Sequence, residues 1–583
     1  MSPAFPFVMD SKSHVDRLKA LGGNSLPWLV AAISLFLYLG DFALIAPDEG
    51  RNAEVAREMF EDGAWLVPTY DGLVYLDKPA FFFKSVALVF TVLGVNELAA
   101  RLPSALCALA LLAATHGFAR REFDRRTADL AVVILATTPL YMAFARLVIF
   151  DMMLALFVCA AIFAGYRAET GPGLESARAR WHLLAAVMGS LATLVKGPVG
   201  FVIPLLVLSI FFALERRRAA LWRLFAPSHW LVFLGVVGPW FFSLVWQHPD
   251  FAYYGLIKES LARFGTAEFK RTQPFYFYGV VIAVGVFPWS LLLPEGVWRV
   301  LKRRTESTSA ERLLMVWVAV VVLFFSLSQS KLPGYILSAV VALGLLLARF
   351  IAMVANDTGA TLRRAAFALI LVIGVGAIFL LSQFGGGQWL AKWTPAQWAP
   401  YAPSLRHLGI SLALLALLAI GAALSARGRW VVAAFAALPL LPVTVNADLL
   451  RLITEGRSFR AMAQAMLPLS ADVEVACLHC LPPGLPFYLQ REIIVVTDDA
   501  REFTSNYVLY RLGSGPLDPA RVVPLGQLRP WLKRSGHPIY LLANASGRVE
   551  LEAIAKQRGI GVVQLGDRYW GALFRPPPAP VGH

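Results

Sequence analysis

The sequence predicts a polytopic α-helical membrane protein with a smaller α/β domain at its C-terminal end. Of its 583 residues, 58% are hydrophobic and 16% charged, with a mean hydropathy of +0.62. Soluble chains run near half apolar and a quarter charged. Apolar stretches close to the roughly 17–25 residues needed to cross a bilayer recur as far as residue 446. Beyond that point the composition turns to charged and turn-forming residues. A net charge of +15 invites a nucleic-acid reading. The Arg and Lys side chains, however, cluster in short loops between apolar runs, where they set topology instead.

Thirteen segments qualify as spans: 26–46, 101–119, 127–145, 148–166, 182–195, 198–214, 229–247, 277–297, 313–328, 333–351, 365–384, 406–425 and 430–446. A further run, 80–94, starts after Pro79 and carries Lys84. If it does not cross, the basic loops at 120–126, 178–180, 216–218, 302–304, 363–364 and 427–429 all lie on the N-terminal, cytoplasmic side. If it crosses, every one moves outside. The run 80–94 is therefore predicted to lie along the outer surface. The polar, mildly basic first 25 residues and the missing small-residue cleavage site predict no secretory signal peptide.

These choices give a membrane domain over 1–446 with an outer loop at 47–100, and an outer soluble domain over 447–583. In the soluble domain, β-rich runs at 493–497 and 538–542, a helical pattern at 547–558 and a last run at 561–565 predict a small α/β unit, followed by a disordered Pro-rich tail at 576–580. It has no Gly-rich phosphate loop. Cys107 and Cys159 lie in apolar runs and are expected to be packing residues. Cys477 and Cys480 flank His479; without a second ligand pair they are not read as zinc ligands but as a local disulfide or two free thiols.

Six charges sit at span boundaries on one predicted side: Asp48, Lys78, Asp151, Lys196, Arg263 and Lys331. A charge in hydrocarbon costs a few kcal/mol or more, so such groups usually share a wet cavity and act there. Each also has a structural reading. Asp48 and Glu49 could cap the helix that follows, Lys78 could snorkel, and Arg146 could pair with Asp151. Lys270 and Arg271 add positive charge to an outer loop, against the topological bias, which suggests an anionic ligand. A transporter would place charges near the bilayer midplane on broken helices, and a scaffold would not need them.

The motifs Asp48-Glu49-Gly50-Arg51, Glu54-Val55-Ala56-Arg57-Glu58-Met59, Trp65-Leu66-Val67-Pro68 and Tyr75-Leu76-Asp77-Lys78-Pro79 resemble the first outer loop of the bacterial aminoarabinose lipid A transferases. These are GT-C glycosyltransferases related to the protein O-mannosyltransferases. Arg101-Leu102-Pro103-Ser104-Ala105, Lys196-Gly197-Pro198-Val199-Gly200 and Ser330-Lys331-Leu332-Pro333-Gly334-Tyr335-Ile336-Leu337 extend the resemblance over about 26–350. The chain departs from the family's usual Lys-Pro-Pro and Tyr-Trp at Lys78-Pro79-Ala80 and Phe83-Lys84.

The resemblance implies an inverting transfer of 4-amino-4-deoxy-L-arabinose from undecaprenyl phosphate to a lipid A phosphate. It further implies a multi-pass protein of the bacterial inner membrane, with active site and C-terminal domain periplasmic. Another lipid, glycan or protein hydroxyl is the alternative acceptor. Developing charge on the leaving phosphate calls for fixed cations, for which Lys78 and Arg263 are the candidates. Lys331 and Tyr335 are expected to add a charge and a hydrogen bond to the same phosphate. Lys196, Tyr75 and Glu49 complete the expected substrate-binding set. Asp48 and Asp151 would face the sugar or the attacking group, as a base for a hydroxyl acceptor or as positioning groups for a phosphate. No His/Cys/Asp cluster has ligand spacing, so a divalent metal stays open. A monomer is expected, with no nucleic-acid partner.

Overall fold

Away from water a chain must satisfy its backbone polar groups internally, so the long apolar runs fold as helices. The computed structural model describes residues 25–576 apart from 172–173, 267–270, 303–305, 355–359, 385–395, 426, 467, 514 and 516–517. Lys270, Arg303, Arg304 and most of the 576–580 tail thus lie outside the described residues. Among the described residues, seven helices are long and apolar enough to cross a membrane: Glu97–Glu122, Asp151–Thr170, Arg218–Gln247, Ser309–Leu327, Pro333–Val354, Ala360–Phe384 and Trp398–Leu424.

Three further apolar helix pairs among the described residues are bent, each a broken span or a re-entrant loop, which brings the number to at most ten. Arg125–Ala136 turns by 68° into Pro139–Ala145, Phe277–Gly285 by 109° into Trp289–Arg299, and Gly428–Val443 by 43° into Ala447–Glu455. The first break falls at Thr137 and Thr138 before Pro139, whose ring supplies no N–H to continue the ladder. The run 26–46 forms only the helix Leu26–Phe36. Past it the chain turns through Tyr38, whose φ is 56°. The run 80–94 is a helix, Phe81–Leu93, of 13 residues. At about 1.5 Å per residue it falls well short of a ~30 Å hydrocarbon core.

The outer loop is built on the helix Asp48–Glu61. Its Ala53, Val55, Ala56 and Met59 are fully buried in one cluster with Phe82, Phe83, Val86 and Phe90 of Phe81–Leu93. After it come β1 (Thr69–Tyr70) and β2 (Leu73–Val74), a hairpin turned at Asp71-Gly72 with φ of 55° and 74°. Asp-Gly is a preferred pair where both turn residues need positive φ.

The C-terminal sheet contains β3 (Glu474–Leu478), β4 (Ile494–Val496), β5 (Val522–Val523), β6 (Ile539–Asn544), β7 (Val563–Leu565) and β8 (Tyr569–Phe574), ordered β5-β4-β3-β6-β8-β7. The first four positions in that order are parallel, and β8 runs antiparallel to both β6 and β7. The predicted runs become β4, β6, the helix Arg548–Gln557 and β7. The central strand β3 is not among the predicted runs; its Cys477 is half of the Cys477–Cys480 pair, which the sequence presents as a cysteine motif and not as part of a strand. Cys477 and Cys480 are free thiols within hydrogen-bonding reach of each other, and Cys477 lies in β3.

This sheet domain does not stand apart from the outer loop. Leu481, Leu485, Phe487 and Ile493 share the core of the Asp48–Glu61 helix. The backbones meet at two glycines: a Cβ on Gly50 would lie 2.6 Å from the Cα of Gly484, whose φ is +93°. Asp71 Oδ1 accepts from the Ile493 amide at 2.7 Å.

Candidate active site at the outer end of the bundle

Asp77-Lys78-Pro79 joins the hairpin to the Phe81–Leu93 helix, and Asp77 pins this joint. Its carboxylate accepts from the Tyr507 amide at 2.7 Å, the Asn506 amide at 2.9 Å, the Tyr254 hydroxyl at 2.9 Å and the Ser505 hydroxyl at 3.2 Å. It therefore caps the helix Asn506–Leu512 and ties together the outer loop, the 251–262 segment and the sheet domain.

Lys78, fixed beside it, donates to the Asp77 carbonyl at 2.7 Å and to Glu259 Oε1. Arg263 donates to that same Oε1. The three side chains are only 10–13% exposed. Burial lowers the Lys78 pKa, with Glu259 opposing that shift and Arg263 adding to it. Glu259 lies in a π-helical stretch, Tyr254–Ala262, a wide winding that recurs at functional sites.

Arg263 also hydrogen-bonds the Tyr335 side chain. That ring has Lys196 Nζ 4.6 Å from its centroid, and Lys196 forms a 2.5 Å ion pair with Asp151 Oδ1. Phe150 is shared: Lys196 Nζ lies 4.9 Å and Lys78 Nζ 5.9 Å from its ring centroid. Lys196 owes its position to the turn at Gly197 (φ +80°) and to the close approach at Gly200, where a Cβ would come within 2.2 Å of the Ala192 carbonyl carbon. Tyr335 owes its position to Gly334, where a Cβ would sit 2.9 Å from Asp151 Oδ1. The turn 328–331 docks on the 263–271 loop through Gln329 N to Phe264 O at 2.9 Å and Lys331 N to Arg271 O at 3.1 Å. Lys78, Arg263, Lys196, Tyr335 and Asp151 thus form one connected cluster.

Asp48 lies on the adjacent wall, with its side chain 54% exposed and paired to Arg51 at 2.5 Å. It is not the N-cap of its helix, a position held by Pro47. Arg51 in turn donates to the Thr504 carbonyl at 3.3 Å and hydroxyl at 3.1 Å, and lies 6.0 Å from the Tyr75 ring centroid. The Tyr75 hydroxyl is held well above its ordinary pKa by burial, with Arg51 opposing the shift and Asp77, Asp48 and Glu259 adding to it.

Glu49, expected to bind substrate, is turned to a structural task. Its oxygens accept from Arg101 Nε at 2.9 Å, Arg101 Nη2 at 2.8 Å, the Ile45 amide at 2.9 Å and the Val148 amide at 3.0 Å. Each oxygen already holds two donors, so little acceptor capacity remains for a ligand. The Arg146–Asp151 pair does not form; Arg146 donates to the Ser34 and Leu37 carbonyls at 2.8 and 2.7 Å. Lys331 is 8% exposed and enters the site through its backbone contact to Arg271.

Sequence reasoning missed Glu259, Arg51, Asp77 and Phe150. Arg51 and Asp77 were within the quoted motifs but passed over for their neighbours. Glu259 had no signal, because a Glu in Lys258-Glu259-Ser260 reads as loop polarity. Among the described residues no three His, Cys, Asp or Glu side chains gather as a metal site. A cavity of about 190 Å³ lies elsewhere, between Asn96 and Glu97 and the sheet domain's Phe487, Tyr488 and Gln490.

Residues 77–246 match the family model of dolichyl-phosphate-mannose-protein mannosyltransferases. The chain is 30% identical over 349 residues to the undecaprenyl phosphate-alpha-4-amino-4-deoxy-L-arabinose arabinosyl transferase of Erwinia tasmaniensis, covering 59% of this chain and 62% of that one. With the protein of the same name from Shewanella sediminis it shares 29% identity, covering 56% of this chain and 59% of that one. The match thus spans about six-tenths of these relatives' length. The crystal structure of ArnT from Cupriavidus metallidurans bound to undecaprenyl phosphate superposes with a TM-score of 0.79 at 24% identity, over 97% of this chain and 100% of that one. In sequence the chain is thus similar to the aminoarabinose arabinosyl transferases and, over residues 77–246, to the protein mannosyltransferases, and its fold is the ArnT-like GT-C fold.

Proposed function

We propose that the protein transfers 4-amino-4-deoxy-L-arabinose from undecaprenyl phosphate to a phosphate of lipid A, at the periplasmic face of the bacterial inner membrane. One observation carries this reading: Lys78 and Arg263, 185 positions apart in the chain, both aim at a single carboxylate oxygen. Two cations so placed would hold the phosphate of the donor and stabilise the charge that grows on it as the glycosidic bond breaks. The Tyr335 side chain, bonded to Arg263, would extend the same contact.

Lys331 would add charge from the 328–331 turn, and Lys196 would orient Asp151 toward the sugar. Asp48, ion-paired to Arg51, suits positioning better than proton abstraction, because a carboxylate locked to a guanidinium gives up that contact on taking a proton. A lipid A phosphate is already ionised and needs no base. The relatives' printed name supports the sugar and the carrier.

Mass spectrometry of lipid A from cells with and without the protein tests the reading. A pentosamine on a lipid A phosphate, present only with the protein, is expected. Unchanged lipid A together with newly glycosylated protein would favour the hydroxyl acceptor suggested by the mannosyltransferase match.

A further inference from the structure

The oxygen on which both cations converge belongs to Glu259, a residue to which the reading above gives no role of its own. A single oxygen, Oε1, receives both the Lys78 ammonium and the Arg263 guanidinium. The other oxygen, Oε2, is buried with no hydrogen-bond partner. A carboxylate placed for structure alone would spread its contacts over both oxygens, as Glu49 does with Arg101, Ile45 and Val148. Glu259 instead concentrates two cations on one point and leaves a buried acceptor unused, which costs free energy unless the arrangement serves another state. It does so from a π-helical winding, a higher-energy backbone than the α-helical turns Phe251–Tyr253 and Arg263–Gly265 on either side of it.

We propose that Glu259 is a built-in stand-in for the donor phosphate. Its carboxylate and the lipid phosphate compete for Lys78 and Arg263, and donor binding displaces Glu259 from them. Between turnovers the stand-in keeps two buried cations compensated, where an uncompensated pair would repel and shift apart. It also sets a threshold for binding: an incoming anion must hold Lys78 and Arg263 better than the Glu259 carboxylate does. Glu259 is thus a positioning residue for the cations and a determinant of affinity for phosphate over weaker anions. This inference rests on the proposed phosphate role of Lys78 and Arg263.

The test is direct binding of undecaprenyl phosphate to the full-length protein in detergent, by microscale thermophoresis, for the wild type, Lys78→Ala, Arg263→Ala and Glu259→Gln. Removing the competitor should tighten binding about 10-fold or more, the scale of one hydrogen bond between charged groups. Lys78→Ala and Arg263→Ala should weaken binding by at least as much. A merely structural Glu259 would move affinity the other way.

If the Lys and Arg variants bind as the wild type does, the phosphate reading itself fails. If they weaken binding while Glu259→Gln is unchanged or weaker, the stand-in alone is overturned. Should Glu259→Gln fail to fold, Glu259→Asp, which withdraws the charge by one methylene, should show the same gain in affinity. Loss of folded protein in both variants would make the carboxylate a structural strut and overturn the proposal.

Discussion

Lys78 and Arg263 are separated in sequence but share one oxygen partner, and removing either should have a similar consequence. Lys78→Ala and Arg263→Ala are each expected to lower sugar transfer about 10²–10³-fold, the usual cost of losing one preorganised charge contact in a transition state. Assays on purified, folded protein check this. Lys84 sits on the Phe81–Leu93 helix among the described residues without an ion pair; Lys84→Ala should change transfer less than threefold, near the scatter expected for a surface substitution. For Asp48, the Arg51 pair separates two mechanisms. Asp48→Asn should raise KM for substrate with a loss in kcat below tenfold if the carboxylate only positions. A general base would instead lose about 10²–10⁴-fold in kcat. Asp48, Lys78, Asp151, Lys196 and Lys331 were legible from sequence because each lies at the edge of an apolar run, and Arg263 because it shares an outer loop with the basic Lys270 and Arg271. Glu259 was not, because nothing in its neighbours' spacing records that Lys78 lies 181 positions away but in contact.

At the scale of elements, the outer loop is held by caps and clamps more than by its own propensity. The Asp77 carboxylate accepts from two backbone amides of the helix Asn506–Leu512 and from two hydroxyls besides. Asp77→Ala strands these donors in a buried place and should destabilise the docking of the sheet domain by on the order of 3 kcal/mol. Limited proteolysis should then cut in the 500–515 region of the variant well before the wild type. The contact of Gly50 with Gly484 makes a second test of the same joint: Gly50→Val has no room for its branches and should release the sheet domain without touching the cation cluster. Both helices of the outer loop were legible from apolar spacing. The Asp71-Gly72 hairpin carried a readable turn signal that the charges on either side outweighed.

Over the whole molecule, the outer loop buries an acidic group at the junction with the sheet domain. Glu58 accepts from the Asp71 and Gly72 amides, and burial together with the nearby Glu54 charge pushes its pKa up from 4.5 to about 8. Between those values the folded protein holds a proton that the unfolded chain has released, so stability falls as pH rises and levels off above about pH 8. Thermal unfolding in detergent at pH 5, 7 and 9 should show this fall, with a slope up to about 1.4 kcal/mol per pH unit from one group. Glu58→Gln should flatten it. Topology is tested by reporter fusions: cytoplasmic after residue 120 and periplasmic after residue 460. A periplasmic reading at 120 would mean that Phe81–Leu93 crosses, against its length.

The sequence alone determined that this is a multi-pass membrane protein, because hydrocarbon admits only long apolar helices and excludes unneeded charge. The same exclusion made the boundary charges conspicuous, and so most of the candidate site was readable before any fold was known. The tertiary structure decided what those charges do to one another. Glu49 looked equivalent to Asp48 one position away, yet helical geometry turned it inward to Arg101 while Asp48 stayed at the surface with Arg51. Asp151 could have paired within its own segment, but the turn at Gly197 brought Lys196 to it instead. Pairings of this kind depend on which backbones approach closely enough to place two side chains within a few ångströms. That is fixed by packing across the whole chain, and local spacing carries no record of it.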